Sequence, residues 1–228
     1  MKLISLNTWD GATGDVFAGF VKEQARDTDI FCFQEVRENA RTLCRTAIPD
    51  YKEIAAYKRT AEGKDASQTT YLNKRMRLLS SEVIFEERDD PGLGMYVEVS
   101  FRSGSLHIIN FHGNWNPVNK LDSPERIRQS QELVAFLKAK EGPKMVMGDF
   151  NLLPDTEGIR LFELNGYRNL IKDFHIATTR NRLGWDRFPG NKQLYADYVF
   201  VSPDVAIKSF SVPDVEISDH LPMIVDIE

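Results

Sequence analysis

The feature that most restricts the fold is a succession of short apolar, β-branched or alternating stretches, each bounded by turn or polar residues. They read KLISLN, DIFCFQ, TTYLN, EVIFEE, MYVEVSF, LHIINFH, KMVMGDF, ADYVFVS, AIKSFSV and MIVDIE. Each has the length of a β-strand and is too short for a typical helix. MYVEVSF and LHIINF flank RSGS, a Gly-containing turn that predicts a hairpin. In its first arm Tyr96 and Glu98 fall on one face and Val97 and Val99 on the other. Three helical patterns interrupt the strands. Residues 15–26 set Val16, Phe20 and Val21 on one stripe, and a second helix is expected over 39–47. The third is SPERIRQSQELVAFLKAK, with Ser123 as N-cap, Pro124 at the first helical position and Ile127, Leu133, Val134 and Leu137 as its apolar stripe. So many strands with helices among them predict an α/β four-layer sandwich, two central and mostly antiparallel β-sheets flanked by helices.

No repeat, low-complexity tract or linker-like run divides the 228 residues, so one domain over 1–228 is expected. No apolar run is long enough for a membrane span, and the opening MKLISLNTWDG reads as a first strand rather than a signal peptide. Cys32 and Cys44 are too few for a disulfide framework. Cys32, set between two phenylalanines, is expected to be a buried free thiol. These features together predict a reducing, cytoplasmic setting.

The formal net charge of −5 argues against a non-specific nucleic-acid coat. Charge is uneven, however: residues 37–77 carry ten Lys/Arg against five Asp/Glu, and residues 168–192 six against two. Local basic segments in an acidic chain fit an anionic substrate held in one place.

Polar side chains recur where the apolar runs end. Asn7 closes KLISLN, Gln34 and Glu35 follow DIFCF, and His112 closes LHIINFH. KMVMGDFN delivers Asp149 and Asn151, ADYVF opens with Asp197, and SDH supplies Asp219 and His220. Any one of these could be a turn former or cap. A whole set at strand ends has the composition of an active site. Carboxylates such as Glu35 suit a hard cation, Mg²⁺ or Mn²⁺. Zinc would want His and Cys at short spacing, and neither HExxH nor CxxC is present. GxxxxGK[ST], GxSxG and GxGxxG are also missing, which removes support for P-loop, esterase and dinucleotide-binding readings. A cation, an aspartate base, amide donors and two histidines are what hydrolysis of a phosphate ester requires.

In order, LNTW, FQEV, NFHGNW, GDFN, ADYVF and SDH resemble the motif series of the endonuclease/exonuclease/phosphatase superfamily, whose fold is that of pancreatic deoxyribonuclease. The resemblance runs from residue 6 to residue 220. It implies a metal-dependent phosphoesterase in which Glu35 is the main metal ligand, with Asn7 beside it and Asp219 contributing to the metal shell. It implies that Asp149 orients or deprotonates the attacking water and that Asn151 donates to the phosphoryl oxygens. His220 would contact the phosphate with Asp197 on its other ring nitrogen, and His112 would act on the phosphate or leaving group. Trp9 stands where many members carry Asp or Asn two residues after the first Asn.

For the substrate, residues 180–192, RNRLGWDRFPGNK, place Trp185 and Phe188 beside Arg182 and Arg187, a composition able to stack a base while holding a phosphate. With Trp9 and Asn114, these residues are the expected substrate contacts. The reading is a phosphodiesterase acting on nucleic acid or a nucleotide. A phosphomonoesterase or lipid or inositol phosphate phosphatase is the alternative, and a non-catalytic binding module of the same fold is a second. The intact set of Glu35, Asp149, Asn151, Asp197, Asp219 and His220 favours an enzyme.

Overall fold

Strand alternation decides which side chains meet which layer. The computed structural model of the chain describes residues 1–61, 63, 65–115, 119–187 and 189–228. In β1 (Lys2–Asn7), Leu3 joins the main core while Ile4 and Leu6 face a second cluster on the other side. In β2 (Ile30–Gln34), Ile30 and Cys32 take the first side and Phe31 and Phe33 the second. The second cluster is closed by α1 (Asp15–Gln24) and α2 (Glu38–Ala47) through Phe17, Val21, Ala40 and Cys44. Each fully buried Leu or Phe of this kind contributes about 1.5–3 kcal/mol relative to exposure.

The remaining strands are β3 (Tyr51–Arg59), β4 (Asp65–Asn73), β5 (Leu78–Ile84), β6 (Leu93–Phe101), β7 (Gly104–His112), β8 (Lys144–Asp149), β9 (Arg168–Asn169), β10 (Asp197–Val201), β11 (Ile207–Ser211) and β12 (Met223–Ile227). They form two six-stranded sheets, ordered β11-β12-β1-β2-β4-β3 and β5-β6-β7-β8-β10-β9. Each sheet has one parallel pair, β1 with β2 and β7 with β8, among otherwise antiparallel neighbours. A parallel pair needs a crossover, which α1 supplies in the first sheet and α3 (Pro124–Lys138) in the second. Helix α4 (Glu157–Leu164) packs beside α3, and both join the main core through Leu133, Leu137, Ile159 and Phe162. Two short helices, α5 (Leu170–Asp173) and α6 (Arg182–Arg187), and a 3-10 turn over Trp9–Gly11 are the other described elements. The architecture is the α/β sandwich that the sequence predicts.

Some local expectations are corrected. β3 was not anticipated because YKEIAAYKR is an edge strand rich in charge, with no apolar run to mark it. β9, α4, α5 and α6 are short and were likewise not foreseen. EVIFEE lies partly beyond β5, which leaves extended geometry at Phe85 (φ 70°). On α1 the inward stripe is Phe17 and Val21, with Phe20 packed at its edge, whereas Val16 is 60% exposed. The N-cap holds: Ser123 Oγ accepts from Arg126 N, with Pro124 in the first turn.

A buried polar seam ties the sheets together below the strand ends. Gln34 Nε2 donates to Asn110 Oδ1 at 2.7 Å, Gln68 Nε2 donates to the Asn110 carbonyl at 2.7 Å, and Asn110 Nδ2 donates to the Phe33 carbonyl at 3.2 Å. Such a network fixes one relative placement of the sheets, which apolar contact alone does less well.

Candidate active site

Both parallel pairs end at the same edge of the sandwich. Register pairs Asn7 with Gln34 in the first sheet and His112 with Asp149 in the second, and β10 places Asp197 opposite Asp149. The chain turns sharply past these ends, and non-glycine residues take positive φ there: Trp9 and Asp10 (both φ 49°) after β1, Glu35 (φ 54°) after β2 and Asn151 (φ 55°) after β8. That region costs roughly 1–2 kcal/mol for most L-residues, less for Asn. Strained backbone concentrates where side-chain direction matters more than local comfort.

GDFN is anchored by the residue between its two polar members. Phe150 is buried, with ring centroids 4.9 Å from Phe111, 5.6 Å from Tyr198 and 5.4 Å from Phe200. Gly148 (φ 144°) lets β8 approach β7, since a Cβ there would lie 1.9 Å from the Phe111 carbonyl oxygen. Only glycine fits that position.

Asp149 is the hub. Its Oδ1 accepts from Asn151 N at 2.8 Å and its Oδ2 accepts from Asn7 Nδ2 at 3.1 Å. Asn7 Nδ2 also reaches Glu35 Oε1 at 3.1 Å. His112 Nε2 lies 3.8 Å and His220 Nε2 3.6 Å from Asp149 Oδ2. His220 Nδ1 faces Asp197 at 2.9 Å, and Asp197 N donates to Thr179 Oγ1. Ser218 holds the last segment in place, its Oγ donating to the Asn7 carbonyl at 2.7 Å and accepting from His220 N.

Two cations belong to this cluster that the sequence analysis missed. Lys120 is buried and its Nζ donates to Asn151 Oδ1. That bond fixes the amide's orientation, so Nδ2 is the donor side, and it reaches the Gly113 carbonyl at 3.3 Å. Arg180 donates through Nη2 to Asp219 Oδ2 at 3.0 Å and through Nη1 to His220 Nε2. With Nε2 accepting, the imidazole proton sits on Nδ1, toward Asp197. A Cβ on Gly184 would come 2.7 Å from Arg180 Nη2, so that glycine leaves room for the guanidinium. Neither cation announces itself in sequence. Lys120 sits in VNKLDS with no apolar pattern, and Arg180 opens a basic segment in which Arg182 and Arg187 looked equally eligible.

The electrostatics follow from burial and these neighbours. Burial pushes the Asp149 carboxyl up, but Lys120, His220, His112 and Arg180 outweigh it and hold the group well below the usual carboxylate range. Burial, then Asp149, push Asp197 up. Burial and Arg180 push His220 down to about 4 against the pull of Asp149 and Asp219, so the imidazole is neutral at pH 7. Burial also lowers Lys120, with Asp149 opposing it.

These groups line a cleft of about 610 Å³, in the range of small-ligand sites. Glu35, His112, Asp149, Asn151, Asp219 and His220 reach its surface, while Asn7 and Asp197 sit behind it. Of the expected substrate contacts, Trp9, Trp185 and Arg187 line the cleft, with the Arg187 guanidinium 5.4 Å from the Trp9 ring centroid. Arg182 does not; its guanidinium is bidentate on Glu216 and also pairs with Asp186. Asn114 serves the loop through its backbone, its N–H donating to Gln129 Oε1 and its carbonyl accepting from Arg126 Nε. Phe188 lies outside the described residues.

Two oxygen-rich groupings are relevant to a cation. Asp149, Asp197 and His220 offer ligand atoms within 4.8 Å of one another, close enough to share a divalent ion. Glu35 and Asp219 both reach the cleft and offer carboxylate oxygens, the donor type hard cations take, whereas Asn7, expected beside the metal, turns its Nδ2 to Glu35 and Asp149 and its Oδ1 to the Trp9 N–H.

A family model described as the endonuclease/exonuclease/phosphatase family matches residues 7–220. No curated protein matches the sequence. Solved structures share the fold. An endonuclease/exonuclease/phosphatase from Bacteroides vulgatus is 19% identical, with a TM-score of 0.76 over 100% of this chain and 98% of that one. The mannosyl-6-phosphatase of Bacteroides thetaiotaomicron is 18% identical, with a TM-score of 0.74 over 100% and 99%. D. rerio TDP2 complexed with single strand DNA product is 18% identical, with a TM-score of 0.75 over 100% and 98%. The strand-end motifs, the paired sheets that bring them together and the span of the family model converge, and the chain belongs to the endonuclease/exonuclease/phosphatase family, whose members are hydrolases of phosphoester bonds.

Proposed function

We propose that this chain is a divalent-metal-dependent phosphodiesterase acting on nucleic acid or a nucleotide-like ester by direct attack of water. The observation that carries the reading is the convergence on Asp149 of an amide, two imidazoles and two cations at one edge of the sandwich. Glu35 and Asp219, with Asn7 orienting the first, are the residues that would hold Mg²⁺ or Mn²⁺. The Asp149, Asp197 and His220 grouping is less suited to a hard cation, because one of its three donors is an imidazole whose two nitrogens already face Arg180 and Asp197. When bound, the ion would neutralise charge on the phosphoryl oxygens.

The protein groups divide the remaining work. Asp149 is ionised, with both oxygens oriented by hydrogen bonds, so it aims the attacking water and accepts its proton. A carboxyl so far below neutrality acts more through orientation than through basicity. Asn151 Nδ2, Lys120 Nζ and Arg180 are donors for the negative phosphoryl oxygens. Asp197 holds the His220 tautomer, and His112 faces the phosphate or leaving group. A phosphomonoesterase is the second reading, favoured by two side-chain cations beside Asp149, which suit a dianion. The same fold occurs in the B. thetaiotaomicron mannosyl-6-phosphatase and in TDP2 with its single-strand DNA product.

The test is incubation with bis-p-nitrophenyl phosphate, p-nitrophenyl phosphate and single- and double-stranded DNA, each with Mg²⁺, Mn²⁺ or EDTA. EDTA-sensitive cleavage of DNA or the diester is expected, with Asp149→Asn losing on the order of 10² or more in kcat. Cleavage of the monoester alone selects the second reading, and wild-type rates in Asp149→Asn would remove Asp149 from its role.

A further inference from the structure

Helix α3 buries one face, at Arg126, Gln129, Ser130, Leu133, Val134 and Leu137. That spacing is a single helical stripe, and its C-terminal half is apolar, as a core helix requires. Its N-terminal half is polar instead, and it begins with Arg126, which is 2% exposed. The guanidinium makes four hydrogen bonds. Nε donates to the Asn114 carbonyl at 2.9 Å, Nη1 to the carbonyls of Asn119 at 3.2 Å and Leu121 at 2.6 Å, and Nη2 to that of Asn119 at 3.2 Å. All four end on main-chain carbonyls and none on a carboxylate. A buried charge without an opposite partner is costly and persists only where hydrogen bonds satisfy it. A methionine would fill the same stripe at less cost, so the guanidinium is explained by what it holds.

It holds the main chain on either side of Lys120. Asn119 and Leu121 are the neighbours of Lys120, and Nη1 bridges their carbonyls. The Lys120 carbonyl between them accepts from Leu153 N at 2.8 Å, and Leu153 lies two residues past Asn151. Three consecutive carbonyls are therefore fixed, one of them to the segment that carries Asn151, and the Lys120 ammonium reaches Asn151 Oδ1. Gln129, on the same stripe, secures the start of the loop: its Oε1 accepts from Asn114 N at 3.0 Å while its Nε2 donates to Asp90 Oδ1 at 2.6 Å. We infer that Arg126 is a positioning residue for Lys120, acting from behind the cleft by fixing where the ammonium stands beside Asn151. Its catalytic consequence rests on the phosphoesterase reading of the site, whereas the placement itself does not. Lysine could not do the same work, because the guanidinium offers five donors in a rigid fork and an ammonium is a point charge on a flexible stem.

Acetylation by a succinimidyl acetate, mapped by mass spectrometry, reads the placement of Lys120 without turnover. Lys58 is the internal control, a second buried lysine whose Nζ donates to the carbonyls of Phe85 and Gly92 in another loop. In Arg126→Met, Lys120 should acetylate roughly tenfold or more faster than in wild type, with Lys58 unchanged, since the loop loses several hydrogen bonds. Cleavage of bis-p-nitrophenyl phosphate with Mg²⁺ or Mn²⁺ should lose about tenfold or more in kcat, with KM within about threefold. In a Lys120→Met background the same substitution should cost less than about threefold further, because the group it positions is gone. Arg126→Lys keeps the charge and loses the fork, so it should show the same pattern more weakly; it carries both measurements if Arg126→Met does not fold. Unchanged labelling of Lys120, equal acceleration at Lys58, a wild-type kcat in the folded variant or a full further loss in the Lys120→Met background overturns the inference. Absence of cleavage by the wild type with any metal defeats the phosphoesterase reading instead, and the acetylation rates then decide by themselves whether Arg126 places Lys120.

Discussion

Replacing Lys120 with Met removes an ammonium but keeps most of the side chain's volume, so it separates charge from packing. Two opposing effects act on stability. Burial lowers the Lys120 pKa, so the folded protein carries a charged group that it holds less readily than the unfolded chain does. That penalty is fully present below the folded pKa and is relieved as pH rises through it toward the unfolded value, because in that window the unfolded chain binds the extra proton. Met removes the penalty. Against this, Asn151 Oδ1 loses its donor, at about 1–3 kcal/mol for a buried acceptor left unpaired. The two oppose one another, and a net change within about 2 kcal/mol is expected. Catalysis has no such offset. Loss of one preorganised donor to the reacting group costs about 10²–10³ in kcat, or about 2.7–4 kcal/mol. Lys120 is also the foremost of the charges that hold Asp149 down, so its loss should move the acidic limb of the pH–rate profile to higher pH. The measurements are kcat against pH on bis-p-nitrophenyl phosphate and urea unfolding of both proteins. A kcat within about threefold of wild type together with an unmoved acidic limb would show that Lys120 only packs the loop.

Gly148→Ala should cost at least about 3 kcal/mol, combining overpacking against the Phe111 carbonyl with a φ that alanine disfavours, and a urea midpoint at the wild-type value would refute the close approach of β7 and β8. Burial pushes the thiols of Cys32 and Cys44 up to about 12, from an ordinary value of 9.0. Groups raised in the fold stabilise it below their unfolded values and lose that contribution as pH rises toward the folded ones. Stability should therefore fall between about pH 9 and 12, less steeply in Cys32→Ala/Cys44→Ala, and native thiols should resist iodoacetamide at about pH 9. Rapid alkylation without loss of structure would contradict the burial.

Much of the fold was legible because it rests on local rules. Leu3, Ile30 and Cys32 alternate with Ile4, Phe31 and Phe33, and that period of two puts each set on its own face. Ser123 and Pro124 mark the start of α3 for reasons confined to one helical turn. The edge strand β3 escaped because its pairing with β4, not its composition, makes it a strand. On α1 the pattern was read one residue out of phase at Val16, since several apolar residues in a row leave the inward direction to packing.

The sequence by itself determined the strand-and-helix alternation, the family motifs and the polar residues at the strand ends, all of which are properties of a few consecutive residues. Only the tertiary structure decided which distant groups share a space. Lys120 meets Asn151 because the loop before α3 folds over the end of β8, and Arg180 meets Asp219 and His220 because the chain passes Thr179 and Leu221 side by side. It likewise gathered Trp9, Trp115 and Trp185 on one cleft and turned Arg182 away to Glu216. Proximity between residues far apart in the chain is set by sheet register and crossover, and no local pattern encodes it.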